Sequence, residues 1–129
     1  LTIQEDFSDS PSVYQSDILI TDWSTIAHEF CYVTLKPAIF INTPMKVMNP
    51  EYEKIPIVPL DISLRNKIGI AVDLNQLGAL GRIVQDMIAR KDNYREQIED
   101  VVSKYVYNFG HSGEVAAQYV IKSLKEKKK

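Results

Sequence analysis

The chain has little of what several function classes require. It holds one cysteine, Cys31, in 129 residues, which excludes an internal disulfide and fits a reducing compartment. Its two histidines, His28 and His111, lack the ligand spacing of a metal site, so no metal and no cofactor is expected. There are five glycines, none in a G-x-G-x-x-G or Walker pattern, so no glycine-rich phosphate cradle can be read. No apolar run approaches the roughly 20 residues of a membrane-spanning helix, and no signal peptide opens the chain. A net charge of −2 gives no broad basic surface for nucleic acid. Internal repeats are missing, and so is an initiating Met. The chain starts in what reads as mid-domain, and it is expected to be a fragment.

What is present is ordinary in bulk and specific in one place. Hydrophobic residues make up 45% and charged residues 25%, as in globular proteins, and the length suits one domain at most. The informative stretch is Ser16 to Asn42, SDILITDWSTIAHEFCYVTLKPAIFIN. Ile18 to Thr21 is a short uncharged strand. Asp22, Trp23, Ser24 and Thr25 form a polar turn. A helix is expected from about Thr25 to Leu35, with Ile26, Phe30 and Val33 on one face. Lys36-Pro37 stops it, and Ala38 to Ile41 is a second strand. Strand, crossover helix and strand make a βαβ unit with a parallel pair. In open α/β sheets ligands sit beyond the carboxyl ends of the strands, here at Asp22 to Thr25. Backbone N–H groups and the positive end of the helix dipole at that turn suit a phosphate. Taken alone, Ser24 reads more readily as a helix N-cap that needs no ligand.

The same stretch resembles the signature of the CDP-glycerol glycerophosphotransferase family, enzymes that build teichoic-acid-type polyol phosphate chains. That signature typically reads SD-x-LITDYSS, then F-[DE]-[FY], then KP-x-IF. Ser16, Asp17, Leu19, Ile20, Thr21, Asp22, Ser24, Glu29, Phe30, Lys36, Pro37, Ile39 and Phe40 stand in matching places. Trp23 replaces the usual Tyr and keeps the aromatic ring. Thr25 replaces the second Ser and keeps the hydroxyl. His28 stands where Phe is usual. The close match covers about a fifth of the chain. A second likeness, to the donor half of UDP-N-acetylglucosamine 2-epimerases, places DWSTIAHE over DSGGIQEE without a gap.

These resemblances imply a fold and a function. The fold class is α/β, a partial Rossmann-like sheet of the GT-B type, parallel, three or four strands wide, with flanking helices and a helical carboxyl-terminal part. Residues 1–129 would be the carboxyl-terminal fragment of a nucleotide-donor-binding domain. The implied enzyme transfers glycerol phosphate, or a related polyol phosphate, from a CDP-activated donor to a hydroxyl acceptor, a polyol phosphate or glycan, in cell-surface polymer synthesis. Its general base would be a His from the missing amino-terminal half, leaving this fragment inactive and without a catalytic residue of its own. Asp22, Ser24 and Thr25 would hold donor phosphate, and Glu29, one helical turn on, the ribose hydroxyls. Thr43, Lys46 and Arg65 are further candidate donor contacts, Arg65 because a guanidinium fork matches phosphate oxygens. The alternatives are a UDP-sugar enzyme, either a glycosyltransferase or a 2-epimerase relative, and a non-catalytic donor-like module. A cytoplasmic location is implied, with peripheral contact at the inner membrane face through the basic tail Lys122 to Lys129; by itself that tail reads as a solvated helix end.

The rest of the chain reads more plainly. Pro11 to Gln15 suits a short helix. Thr43 to Tyr52 is a proline-broken loop. Ile55 to Leu60 is apolar but interrupted by Pro56 and Pro59, hence an edge or no strand, and Asp61 to Lys67 is polar. Ile68 to Val72 reads as a third strand in which Gly69 marks close approach by another backbone. Leu74 to Arg90 is expected to be one amphipathic helix with Leu77, Leu80, Ile83, Val84, Met87 and Ile88 inward, broken at Lys91-Asp92. Asn93 to Tyr107 is the next, with Ile98, Val101, Val102 and Tyr105 inward. Glu114 to Leu124 is the last, with Val115, Ala116, Tyr119, Val120 and Leu124 as its apolar side. Cys31 reads as a small buried apolar residue, and His28 as a partly exposed helix residue.

Overall fold

A computed structural model of the chain describes residues 11–45, 49 and 51–127. Three strands, β1 (Leu19–Thr21), β2 (Ala38–Asn42) and β3 (Gly69–Asp73), form one parallel sheet in the order β1-β2-β3. Leu19 pairs with Ala38, and Ala38 with Gly69, so the three strands start level. They do not end level: β1 stops at Thr21 opposite Phe40, while Asn42 continues to pair with Asp73. The α/β architecture and the parallel βαβ unit are as the residues predict.

Helices cover both faces of the sheet. On one face α2 (Ile26–Thr34), α4 (Arg65–Ile68) and α6 (Lys91–Tyr105) enclose Ala27, Phe30, Cys31, Ala38, Phe40, Leu64, Ile68, Ile98 and Val101. On the other, α5 (Leu80–Ala89) lays Met87, with the partly buried Leu80, Ile83 and Val84, against Ile39 and Val72. Alternation along β2 sends Ala38 and Phe40 to the first core and Ile39 to the second, as the two-residue period of a strand requires. Each such fully buried Ile, Leu or Phe contributes roughly 1.5–3 kcal/mol. The described ion pairs, Lys54–Glu51, Arg95–Glu99 and Lys104–Asp100, are exposed near neighbours in sequence, and such pairs contribute little. Burial, not charge, holds this fold.

Several elements depart from the reading of the residues. The inward face of α2 is Ala27, His28, Phe30 and Cys31, while Ile26 and Val33 are about half exposed. Cys31 is buried as expected, its thiol donating to the Ile68 carbonyl at 3.6 Å and pushed up to about 12 by burial. His28 is buried too, which corrects its expected partial exposure. The helix expected over Leu74 to Arg90 is a 3₁₀ segment, Leu74–Ala79, followed by α5. Asp73 and Gln76 form a capping box on the 3₁₀ segment, and Leu77 and Ile88 stay exposed. Lys91 and Asp92 begin α6 rather than break a helix. Polar Asp61 to Lys67 lies in two short helices, α3 (Leu60–Ser63) and α4. The last helix, α7 (Ser112–Glu126), has no buried residue, so its apolar side, Val115, Tyr119, Val120 and Leu124, is open to solvent. The short α1 (Pro11–Gln15) forms as predicted. No helix among the described residues is long and apolar enough to cross a membrane.

Gly69 explains how β3 can lie so close to β2. A Cβ built there would collide with the Ala38 carbonyl, which is backbone and cannot swing aside. Gly69→Ala is therefore expected to destabilise the protein by about 2 kcal/mol or more, in the range of overpacked cores. Gly78, where an added Cβ meets nothing within 4 Å, is the control. Gly78→Ala should stabilise by roughly 0.4–1 kcal/mol through the unfolded chain. Urea unfolding midpoints of the two variants would check both signs.

Candidate functional site

The three strands deliver their following turns to one edge of the sheet, and hydrogen bonds tie those turns together. Asp22 to Thr25 follow β1. The Trp23 indole Nε1–H donates to the Thr43 carbonyl, just past β2, at 2.7 Å. The Thr43 hydroxyl donates to the Asp22 carboxylate at 3.3 Å. Asn42, ending β2, donates through Nδ2 to Asp73, ending β3, at 2.7 Å. An indole has a single donor, and a half-buried one needs an acceptor. Because β1 ends two residues before β2, Trp23 reaches forward to find one at Thr43.

Arg65, the first residue of α4, closes the arrangement from above the sheet. Its guanidinium carbon lies 3.9 Å from the centroid of the Trp23 ring and 4.9 Å from that of Phe40. Only 6% of the residue is exposed. Its Nε and Nη2 are buried and have no hydrogen-bond partner among the described residues. Burial pulls the guanidinium pKa below its ordinary value, while the Asp22 carboxylate pulls the other way. The group still stays charged. Cation–π contact is worth about 2 kcal/mol per desolvated pair. Desolvating an ion costs several kcal/mol, and each buried donor left unpaired about 1–3 more. The aromatic contacts do not offset that cost, so among the described residues Arg65 is a cation short of an anion. An open cleft of about 450 Å³ lies against it, lined by Trp23, Asn42, Ile62, Arg65, Asn66 and Ala71.

His28 also lies near the Phe40 ring. Its imidazole is edge-on to Tyr32 at 5.9 Å and tilted against Phe40 at 6.2 Å. Both ring nitrogens are buried and unpartnered among the described residues. Burial lowers its pKa most; Asp61 acts to raise it and Arg65 to lower it further. A sealed, neutral imidazole cannot reach a substrate hydroxyl as a general base must.

The residues expected to hold a donor fall as follows. Ser24 and Thr25 are exposed at the start of α2. Ser24 Oγ accepts from the Ile26 N–H at 3.4 Å, and Thr25 makes no side-chain cap bond. A 3.4 Å contact is longer than ordinary N–H···O bonds, so the amino end of α2 is weakly capped. Asp22 is exposed, and its ionised carboxylate offers only acceptors. Glu29 is exposed one turn along α2 and, among the described residues, is in no ion pair. Thr43 is joined to the Asp22 turn and Arg65 to Trp23, whereas Lys46 lies outside the described residues. Lys36, a signature residue with no assigned role, donates from Nζ to the Tyr14 and Ser16 carbonyls at 2.8 Å each. It fastens the carboxyl end of α1 beside the start of β1, where a cation also suits the helix dipole. Trp23 as the platform for Arg65 was not anticipated, although a lone Trp within a polar turn was a signal for it. No group of three or more His, Cys, Asp or Glu among the described residues is placed to hold a metal ion.

His28 makes a pH-dependent contribution whose sign is fixed. Its folded pKa lies below the unfolded value near 6.5, so the unfolded chain takes up the proton first. The stability tied to a neutral His28 is present above about pH 6.5 and is lost as pH falls toward the lowered folded value. His28→Phe keeps a ring between Tyr32 and Phe40 and removes both unpaired nitrogens. It is expected to be neutral or stabilising at pH 7 and to flatten the decline in urea midpoint between pH 6.5 and 5.

Compared with known protein families, with curated proteins and with solved structures, the chain matches none.

Proposed function

We propose that this chain is the nucleotide-donor-binding part of a GT-B-type transferase that moves glycerol phosphate, or a related polyol phosphate, from a CDP-activated donor to a hydroxyl acceptor. The observation that carries the reading is a weakly capped helix start bearing Ser24 and Thr25 at the carboxyl edge of a parallel sheet, with a buried, unpaired guanidinium stacked on the intervening Trp23. Exposed N–H groups at a helix start and a cation short of an anion both favour phosphate. The resemblance of Ser16 to Phe40 to the glycerophosphotransferase signature supplies the identity of the donor.

In the proposed reaction the acceptor hydroxyl oxygen attacks the phosphorus that carries glycerol. A new phosphorus–oxygen bond forms, the bond to the CMP phosphate breaks, and CMP leaves with the electron pair. Negative charge grows on the departing phosphate, where preorganised donors are most effective. The amides and hydroxyls of Ser24 and Thr25 fill that role. Asp22, an acceptor of the Thr43 hydroxyl, holds the turn in shape, and Glu29 accepts from the ribose hydroxyls. The acceptor's proton passes to a base outside this chain, the role the resemblance gives to a His of the enzyme's other half. The work would take place in the cytoplasm, at the inner face of the cell membrane.

Calorimetry of the full-length protein against CDP-glycerol, CMP and UDP-N-acetylglucosamine tests the reading. Binding of the cytidine ligands alone is expected. Ser24→Ala with Thr25→Val should weaken CDP-glycerol binding by roughly tenfold or more, one to two charge-assisted hydrogen bonds being lost. Circular dichroism should stay unchanged, because both side chains are exposed. Preference for the uridine ligand would point to a sugar-nucleotide enzyme using the same turn. Absence of binding to any of the three would overturn the donor-site reading and favour a non-catalytic module.

A further inference from the structure

Helix α7 is long, apolar along one side and uncovered. None of its 15 residues is buried, and none joins either core. Gly113, Ala116, Ala117, Val120, Ile121 and Leu124 recur at the three-four spacing that places them on one stripe. All six are exposed, Val120, Ile121 and Leu124 at 54%, 52% and 58%. The stripe is graded, small in the amino half and large and branched in the carboxyl half. Its spacing reads the same in both directions. An identical helix laid antiparallel therefore sets Gly113 level with Leu124, Ala116 with Ile121 and Ala117 with Val120. Each branched side chain then meets a small one, the alternation that lets facing layers interdigitate. Charge is graded along the same axis. Glu114 lies in the first turn and Lys125 in the last, with Lys122 one turn before it. None of the three is in an ion pair among the described residues. Antiparallel pairing brings Glu114 beside the two lysines of the other copy, whereas parallel pairing sets like charge on like.

We propose that α7 is the contact between two copies of this chain, paired antiparallel along this stripe about a two-fold axis. The inference stands on α7 alone and uses nothing of the donor reading. The same patch serves both copies, so the assembly closes at two. A second copy is the occupant that both gradients fit. A membrane surface would take an apolar stripe flanked by lysines, but it has no use for an order of small and large residues, nor for an acidic residue in the first turn. Tyr119, 72% exposed, borders the stripe beside Ala116 and widens the contact. The 15 residues of α7 compare with roughly 20–30 a side in a standard interface. The dimer is accordingly weak, with a dissociation constant on the order of 10–100 μM.

The test is analytical ultracentrifugation of the full chain from about 5 to 500 μM, a range that brackets the expected constant. Monomer at the low end and dimer at the high end are expected, and monomer throughout overturns the proposal. Leu124→Asp should raise the dissociation constant at least about tenfold, because two apolar contacts are lost per pair. It should leave the thermal midpoint of the dilute protein unchanged, since Leu124 joins neither core. A dimer that survives Leu124→Asp unweakened overturns the proposal. Orientation is read with two single variants, Gly113→Cys and Leu124→Cys. A Cβ at Gly113 meets nothing within 4 Å, so the helix accepts it, and the native Cys31 is buried and does not compete. Air oxidation of the two variants mixed should form a disulfide between positions 113 and 124, while neither variant alone cross-links. Cross-linking of each variant with itself, and not with the other, overturns the antiparallel pair. Binding of a strictly monomeric chain to phosphatidylserine vesicles would assign the stripe to a membrane surface and likewise overturn the proposal. Each of these failures leaves the donor reading standing, because α7 carries none of its residues.

Discussion

Strand β2 is the constraint from which the rest follows. It is the only described strand paired on both sides, and its first residue, Ala38, meets Leu19 on one side and Gly69 on the other. Parallel pairing from a level start, with strands of unequal length, fixes where each following turn begins. The turn after β1 starts early, so Trp23 lies alongside the end of β2 and its indole finds the Thr43 carbonyl. The platform for Arg65 is a consequence of register. A shift of one residue would turn Phe40 away from α2 and carry Trp23 out of reach of Thr43, because side chains alternate faces along a strand.

The parts of the fold that were legible share one property: their signal is local. The βαβ unit, the α1 helix with Pro at its start, the close approach at Gly69 and the burial of Cys31 all follow from a few adjacent residues. The parts that were not legible depend on what lies across from them. Leu74 to Arg90 has a continuous helical stripe, yet the Asp73–Gln76 box starts a 3₁₀ segment and only Leu80 onward meets the sheet. Ile26 and Val33 are spaced like inward residues, but the sheet lies under Ala27, Phe30 and Cys31. Asp61 to Lys67 looks like a solvated loop because its polar residues outnumber its apolar ones. Leu64 and Ile68, placed four apart, are enough to bury one side of it and carry Arg65 inward.

Of the candidate site, the turn after β1 was legible from pattern, and Arg65 only as a candidate by its chemistry. Asp22 to Thr25 could be found from the strand–turn–helix pattern, because the ligand side of an α/β sheet is a matter of topology. Arg65 is 40 positions further on, in a segment with no motif, and its proximity to Trp23 depends on β3 pairing beside β2 rather than elsewhere. Burial of His28 was hidden for a similar reason. A His beside a Glu on a helix reads as solvent-facing, and only the packing of Tyr32 and Phe40 around it shows otherwise.

Arg65 and His28 are two places where local preference and tertiary environment disagree, and both lie near the same phenyl ring. Whole domains are stable by only about 5–15 kcal/mol, so a buried guanidinium and a buried imidazole without hydrogen-bond partners among the described residues are a substantial burden on a sheet of three strands. Such conflicts are expected where binding, not folding, sets the requirement. The two groups also act on each other. Arg65 helps to keep His28 neutral, while Asp61 opposes it. As long as His28 is neutral, the region carries one positive charge instead of two. An anion seated on Arg65 would cancel the smaller of the two influences that hold the proton off His28, while burial, the larger, would remain. Filling the site and protonating the imidazole would then reinforce each other by linkage. The guanidinium thereby connects the exposed turn after β1 to a titratable group in the core, whose two ring nitrogens are buried.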